Sequence, residues 1–148
     1  MKIVRTMIHE WRKCLNALKR NRKKIRTVNK MLTLPIKKKW FDMIAKGEKA
    51  EEYREIKPYY RTRFQNINLL DMDGCASGNY AIIGLRNGYS KDSPTLVVTV
   101  ILDFGEGKPE WGAHEGDIYY ILKIVELHVL IVNGEICHKY KDGEKDNV

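Results

Sequence analysis

The segment Thr95-Leu96-Val97-Val98-Thr99-Val100-Ile101-Leu102 constrains the fold more than any other stretch of the chain. Six of its eight residues are β-branched, which restricts χ1 and favours a strand over a helix. It carries no charge, so it is expected to be largely buried, and a buried strand needs strands on both sides. The flanking sequence supplies them. Residues 80–85 read as a strand that ends at the Asn87-Gly88 turn, and residues 118–125 read as another. Residues 128–132 form a candidate last strand before the Asn133-Gly134 turn. Between them lies a glycine-rich loop, from Gly105 to Gly116.

Helices enter only early. A short strand, Met31-Leu32-Thr33-Leu34, precedes Pro35, a residue suited to the first helical position. Ile36, Trp40 and Ile44 recur every four residues, joined by Phe41, which predicts a helix of about ten residues. Lys46 falls in its last turn, and Gly47 can take the left-handed cap. Lys49 to Glu55 then reads as β-like, and Pro58 opens a second short helix that runs to Gln65. Two short helices among five or six strands predict an α+β fold with a curled or barrel-like sheet. There is no internal repeat.

The 148 residues suit one domain, large enough for a core without metal or disulfide staples. No apolar run approaches the roughly 18 residues of a membrane span, and no signal-peptide core is visible. Cys14, Cys75 and Cys137 are widely spaced and form no paired motif, and His9, His114, His128 and His138 are scattered. A reducing, cytoplasmic setting follows, with no metal site, no cofactor and no membrane partner expected. Nothing in the sequence sets an oligomeric state.

The net charge of +8 is unevenly placed. Residues 1–30 hold eleven Lys or Arg and one acid, whereas the other 118 hold sixteen basic and eighteen acidic residues. The basic character therefore belongs to the N-terminal arm, and any nucleic-acid binding by the rest must rest on a local patch. In the arm, Val4, Met7, Ile8, Trp11, Leu15 and Leu18 predict an amphipathic helix over residues 3–18, followed by a basic run over 19–26. Three readings compete: packing on the domain, contact with nucleic acid or a partner protein, or dispensability with Met31 as the start. A transit peptide fits less well, because the stretch has no serine. The expected organisation is a basic helical extension over 1–30, a domain over 31–132 and a polar tail over 133–148, frayed from Lys139.

The densest chemistry lies in Gly47-Glu48-Lys49-Ala50-Glu51-Glu52-Tyr53-Arg54. Along a strand, Glu52 and Arg54 share a face, while Lys49 has the opposite parity. At the loop end of the strand, however, the long side chain of Lys49 can swing round to Glu52. A lysine beside a carboxylate in a cleft is a proton carrier or an anion clamp, and Arg54 offers a planar fork for phosphate or a base edge. The plain alternative is an edge strand decorated with surface ion pairs, each worth little.

Gly47-x-Lys49-x-x-Glu52-x-Arg54 resembles in full the Gly-x-Lys-x-x-Glu-x-Arg signature of the ASCH family, within the PUA-like superfamily. The surrounding segments are similar in order as well: Leu34 to Lys49, Glu52 to Tyr60, Leu85-Arg86-Asn87-Gly88-Tyr89, and Gly107 to Gly112. Together they span roughly residues 31–127 and look like small ASCH proteins of bacteria and their viruses. The resemblance implies a PUA-like β-barrel with short helices at its rim and a cleft between the first helix and the motif strand. It implies a site of Lys49, Glu52 and Arg54 that takes RNA or a nucleotide-like ligand. Some relatives look like hydrolases of acetylated cytidine and others like ribonucleases, which would make Lys49 and Glu52 catalytic. The amidohydrolase pattern has threonine three residues after its lysine; here that position is Glu52.

Arg86, Asn87 and Tyr89 add a guanidinium, an amide and a ring in one turn, a set that can hold a phosphate and stack a base. A plain strand-end turn accounts for them equally well. Helix residues Tyr59, Tyr60, Arg61, Arg63 and Phe64 interleave rings with positive charge, but inward rings and outward arginines are the simpler expectation. The loop Gly105 to Gly112 lacks phosphate-loop spacing, since Pro109 follows Lys108. Trp111 is expected to anchor the core there, with Glu106 and Glu110 as candidate partners for Lys49.

Overall fold

The computed structural model describes residues 31–140. The expected N-terminal amphipathic helix and basic run lie outside these residues, as does the end of the tail. Nine elements follow in order: β1 (Thr33–Ile36), α1 (Lys38–Ala45), β2 (Glu51–Glu55), α2 (Pro58–Asn66), β3 (Tyr80–Asn87), β4 (Thr95–Glu106), a 3-10 turn (Pro109–Trp111), β5 (Ile118–Val132) and β6 (Glu135–Lys139). They form one six-stranded sheet with two short helices, a mixed α and β fold as expected. Among the described residues, no helix is long and apolar enough to cross a membrane.

The strand order is β1-β3-β4-β5-β2, with β6 also paired to β5. Among the described residues, only β1 and β3 run parallel; all other strand pairs are antiparallel. The uncharged segment forms the central β4, whose residues 95–100 are all buried. β5 is continuous over fifteen residues rather than two separate strands. In place of a break between two strands, its pairing with β4 shifts register between Val97 and Val98 and between Thr99 and Val100, which adds twist and curl. His128 lies at the first shift, where its Nε2 meets Thr99 Oγ1 at 2.6 Å, so this buried pair satisfies its own polar groups.

One expectation is corrected at the C-terminus: β6 occupies part of the supposed tail. Asn133 and Gly134 both take positive φ, at 52° and 76°, which makes the tight turn that folds β6 back on β5. Tyr140 is then buried in the core.

Leu34, Ile83, Leu85, Val98, Val100 and Leu122 form the centre of that core, with Phe41 and Ile44 of α1 and Phe64 of α2 laid against it. The sheet curls around these side chains but does not close. Among the described residues, no ladder joins β1 to β2, and the two remain edge strands. Pro35 lies inside β1, not at the start of α1 as expected. The bond from Gly84 N–H to the Leu32 carbonyl fixes the alternation, so the backbone of Pro35 turns away from β3. On that free edge its missing N–H breaks no ladder bond.

Candidate functional site

α1 ends in a Schellman arrangement. Gly47, at φ 76°, donates its N–H to the Ile44 carbonyl at 3.0 Å, and Glu48 donates to Met43 at 2.9 Å. Lys49 N–H also reaches Met43, at 3.2 Å. The helix end thus holds Lys49 close to the base of β2 before the strand begins at Glu51. Its side chain swings to the Glu52 carboxylate, and the two form a buried ion pair.

Register explains the rest of the motif. Glu52 and Arg54 sit opposite Leu122 and Tyr120, both core residues, and therefore face inward. Tyr53 pairs with Ile121 and faces the other side, against Tyr119 and Ala113. Glu52 Oε1 lies 3.3 Å from Arg54 Nη2, and the same Nη2 donates to the Pro35 carbonyl at 2.8 Å. One carboxylate thus serves two cations. Lys49 is only 2% exposed, and its ammonium lies 5.2 Å from the Trp40 ring centre and 5.6 Å from that of Tyr53. Burial lowers its pKa below the usual lysine value, against the opposing pull of Glu52. Neither Glu106 nor Glu110 pairs with it.

The loop after β4 seals this arrangement from outside. A side-chain carbon at Gly112 would lie 2.9 Å from the Trp40 ring, and one at Gly107 would lie 2.9 Å or less from the Tyr53 ring. Glycine is what permits both approaches. The Tyr53 hydroxyl donates to Glu51 at 2.7 Å and accepts from Lys108 N–H at 3.0 Å. Burial pushes this phenol above the ordinary tyrosine range.

A cleft of about 510 Å3 opens at the gap between β1 and β2, a size typical of small-ligand sites. Glu52 and Arg54 enter it from β2, Trp40 from α1, Asn87 and Tyr89 from the end of β3, and Trp111 from the loop. Of the six residues expected from the sequence, four line the cleft: Glu52, Arg54, Asn87 and Tyr89. Lys49 stands behind Glu52 and does not line it. Arg86 neighbours Asn87 but pairs with Pro35, opposite in parity to Leu85, and so faces the other side of the sheet. Its Nε is buried without a hydrogen-bond partner.

Trp40 and Trp111 were not among the expected site residues; Trp111 forms a wall of the cleft rather than an anchor in the core. The usable signal was the pair of glycines around Trp111, which make room for flat rings. Among the described residues, no three His, Cys, Asp or Glu side chains cluster as metal ligands. Compared with protein-family models, curated proteins and solved structures, the chain matches none of them.

Proposed function

We propose that residues 31–132 form an ASCH-like domain of PUA-like type, whose cleft holds a segment of RNA or a nucleotide-like ligand. The observation that carries this reading is the composition of the cleft. Flat rings of Trp40, Trp111 and Tyr89 surround a guanidinium, an amide and a carboxylate from Arg54, Asn87 and Glu52. Rings offer stacking surfaces to a base, and the polar groups can read its donor and acceptor edge. Arg54 and the lysines at the start of α1 favour an anionic ligand locally, as the slightly acidic composition of the domain requires.

The test is a titration of the protein's tryptophan fluorescence with nucleosides, nucleotides and short RNAs at two salt concentrations. Binding that weakens with salt supports the reading. No binding at low salt and high protein concentration ends it.

The buried contact between Lys49 and Glu52 favours a second reading, a hydrolase of acetylated cytidine or of RNA. A lysine of lowered pKa, linked to a carboxylate that reaches the cleft, is suited to moving a proton between solvent-poor positions. On this reading, Lys49→Ala abolishes turnover while ligand binding largely survives. Absence of turnover on both substrate types rules it out.

A further inference from the structure

The second helix does not follow the simple expectation of inward rings and outward arginines. Phe64 is buried in the core and Tyr60 packs against it, but Tyr59 is 56% exposed. The Arg63 guanidinium lies flat against it, 3.4 Å from the ring centre, and Arg63 Nη1 also donates to the Tyr59 carbonyl at 2.9 Å. Two contacts therefore fix this exposed platform.

The platform is linked to the cleft by an unbroken series of contacts. Arg54, in the cleft wall, has its guanidinium carbon 5.9 Å from the Tyr60 ring centre. The Tyr60 and Tyr59 rings meet edge to face at 5.0 Å, and Arg63 lies on Tyr59. Cation, ring, ring and cation thus follow one another from the cleft along α2. The nine residues of α2 include two arginines and no acid.

Resting on the reading of the cleft given above, we propose that the ligand is a single-stranded nucleic acid of several nucleotides. Its strand continues beyond the cleft along α2, over Tyr60, Tyr59 and Arg63. Charge complementarity selects a polyanion. The exposed ring and the guanidinium plane select one with free base faces, which a single strand offers and a duplex or an acidic peptide does not.

The test uses the full chain and compares nucleoside monophosphates with single-stranded octanucleotides, RNA and DNA, and with the matching duplexes. The wild-type protein binds octanucleotides at least about tenfold more tightly than monophosphates. Tyr59→Ala and Arg63→Gln each weaken octanucleotide binding about five- to tenfold and leave monophosphate binding unchanged. Asn87→Ala weakens both. Residues 1–30 are present in every variant, so the comparison among variants decides the outcome. The proposal is overturned if octanucleotides bind no better than monophosphates, if duplexes bind as well as single strands, or if the α2 variants leave octanucleotide affinity intact. In those cases the cleft reading still stands on the monophosphates. Absence of binding by every probe overturns both. Tyr59 is exposed and Arg63 half-buried beside it, and unchanged thermal melting of the two variants confirms that they fold.

Discussion

The Arg54 guanidinium donates to the Pro35 carbonyl across 2.8 Å, and these two residues belong to opposite edges of the sheet. A side-chain bond spans the gap where a backbone ladder is missing. The cleft lies at that gap, so the group that bridges the two edges also stands in the binding wall.

Arg54→Met removes this bridge and one of the two cations on Glu52. It is expected to lower stability by about 1.5–3 kcal/mol, the range for a hydrogen bond to a charged group, and to weaken ligand binding. Urea unfolding and the fluorescence titration measure the two effects. Lys is not an adequate replacement: Arg54→Lys retains the charge but not the fork, and should recover binding only in part.

Glu52 is the shared partner of Lys49 and Arg54, so its loss leaves the buried Lys49 ammonium and the half-buried Arg54 guanidinium facing each other. Glu52→Gln is expected to cost about 3–5 kcal/mol. Lys49→Met should cost less, because Glu52 keeps Arg54. Chemical denaturation of both variants tests the order. Equal costs would show that Arg54 contributes nothing to holding the carboxylate.

Alkaline pH separates the half-buried Tyr53 phenol from the buried Lys49 ammonium, whose effects on stability run in opposite directions. The folded protein holds the Tyr53 proton above the ordinary value of 10.0, while the unfolded chain releases it near 10. Stability from Tyr53 is therefore complete below pH 10 and declines as pH rises beyond it. Lys49 acts oppositely: its pKa is below 10.5 when folded, so its burial penalty fades as pH rises toward 10.5. The stability difference between wild type and Tyr53→Phe should shrink above pH 10, by at most about 1.4 kcal/mol per pH unit. Denaturant midpoints from pH 8 to 11 give the answer.

Gly112 has φ 99° and meets the Trp40 ring. Gly112→Ala is expected to destabilise the protein by about 1–3 kcal/mol and to move the loop off Trp40. A red shift in tryptophan emission with a lowered melting temperature would be the signature. Emission unchanged from wild type would mean that the loop gives way without uncovering the ring.

Much of this arrangement was legible in the sequence because local rules governed it. The helix stop at Gly47 and the turn at Asn133-Gly134 depend on backbone freedom, and both appear where the residues place them. Strand parity gave the common face of Glu52 and Arg54, and the loop position of Lys49 allowed its contact with Glu52. What was not legible depended on register between distant strands. Arg86 looks like a site residue beside Asn87 until its pairing with Pro35 turns it to the other face. Trp111 reads as core until the fold brings it beside Trp40 at the cleft. Pro35 reads as a helix opener because one chain position cannot show that β1 has a free edge.

The incomplete closure of the sheet has a consequence for how copies of the chain meet one another. Unpaired strand edges are templates for edge-to-edge aggregation. At the gap, one edge is four residues long and interrupted by Pro35, and the other, Glu-Glu-Tyr-Arg-Glu, carries charge at every position but one. The residues that keep the cleft open therefore also make these two edges poor templates, and variants that replace the charges of β2 with apolar side chains would lose colloidal stability along with the site.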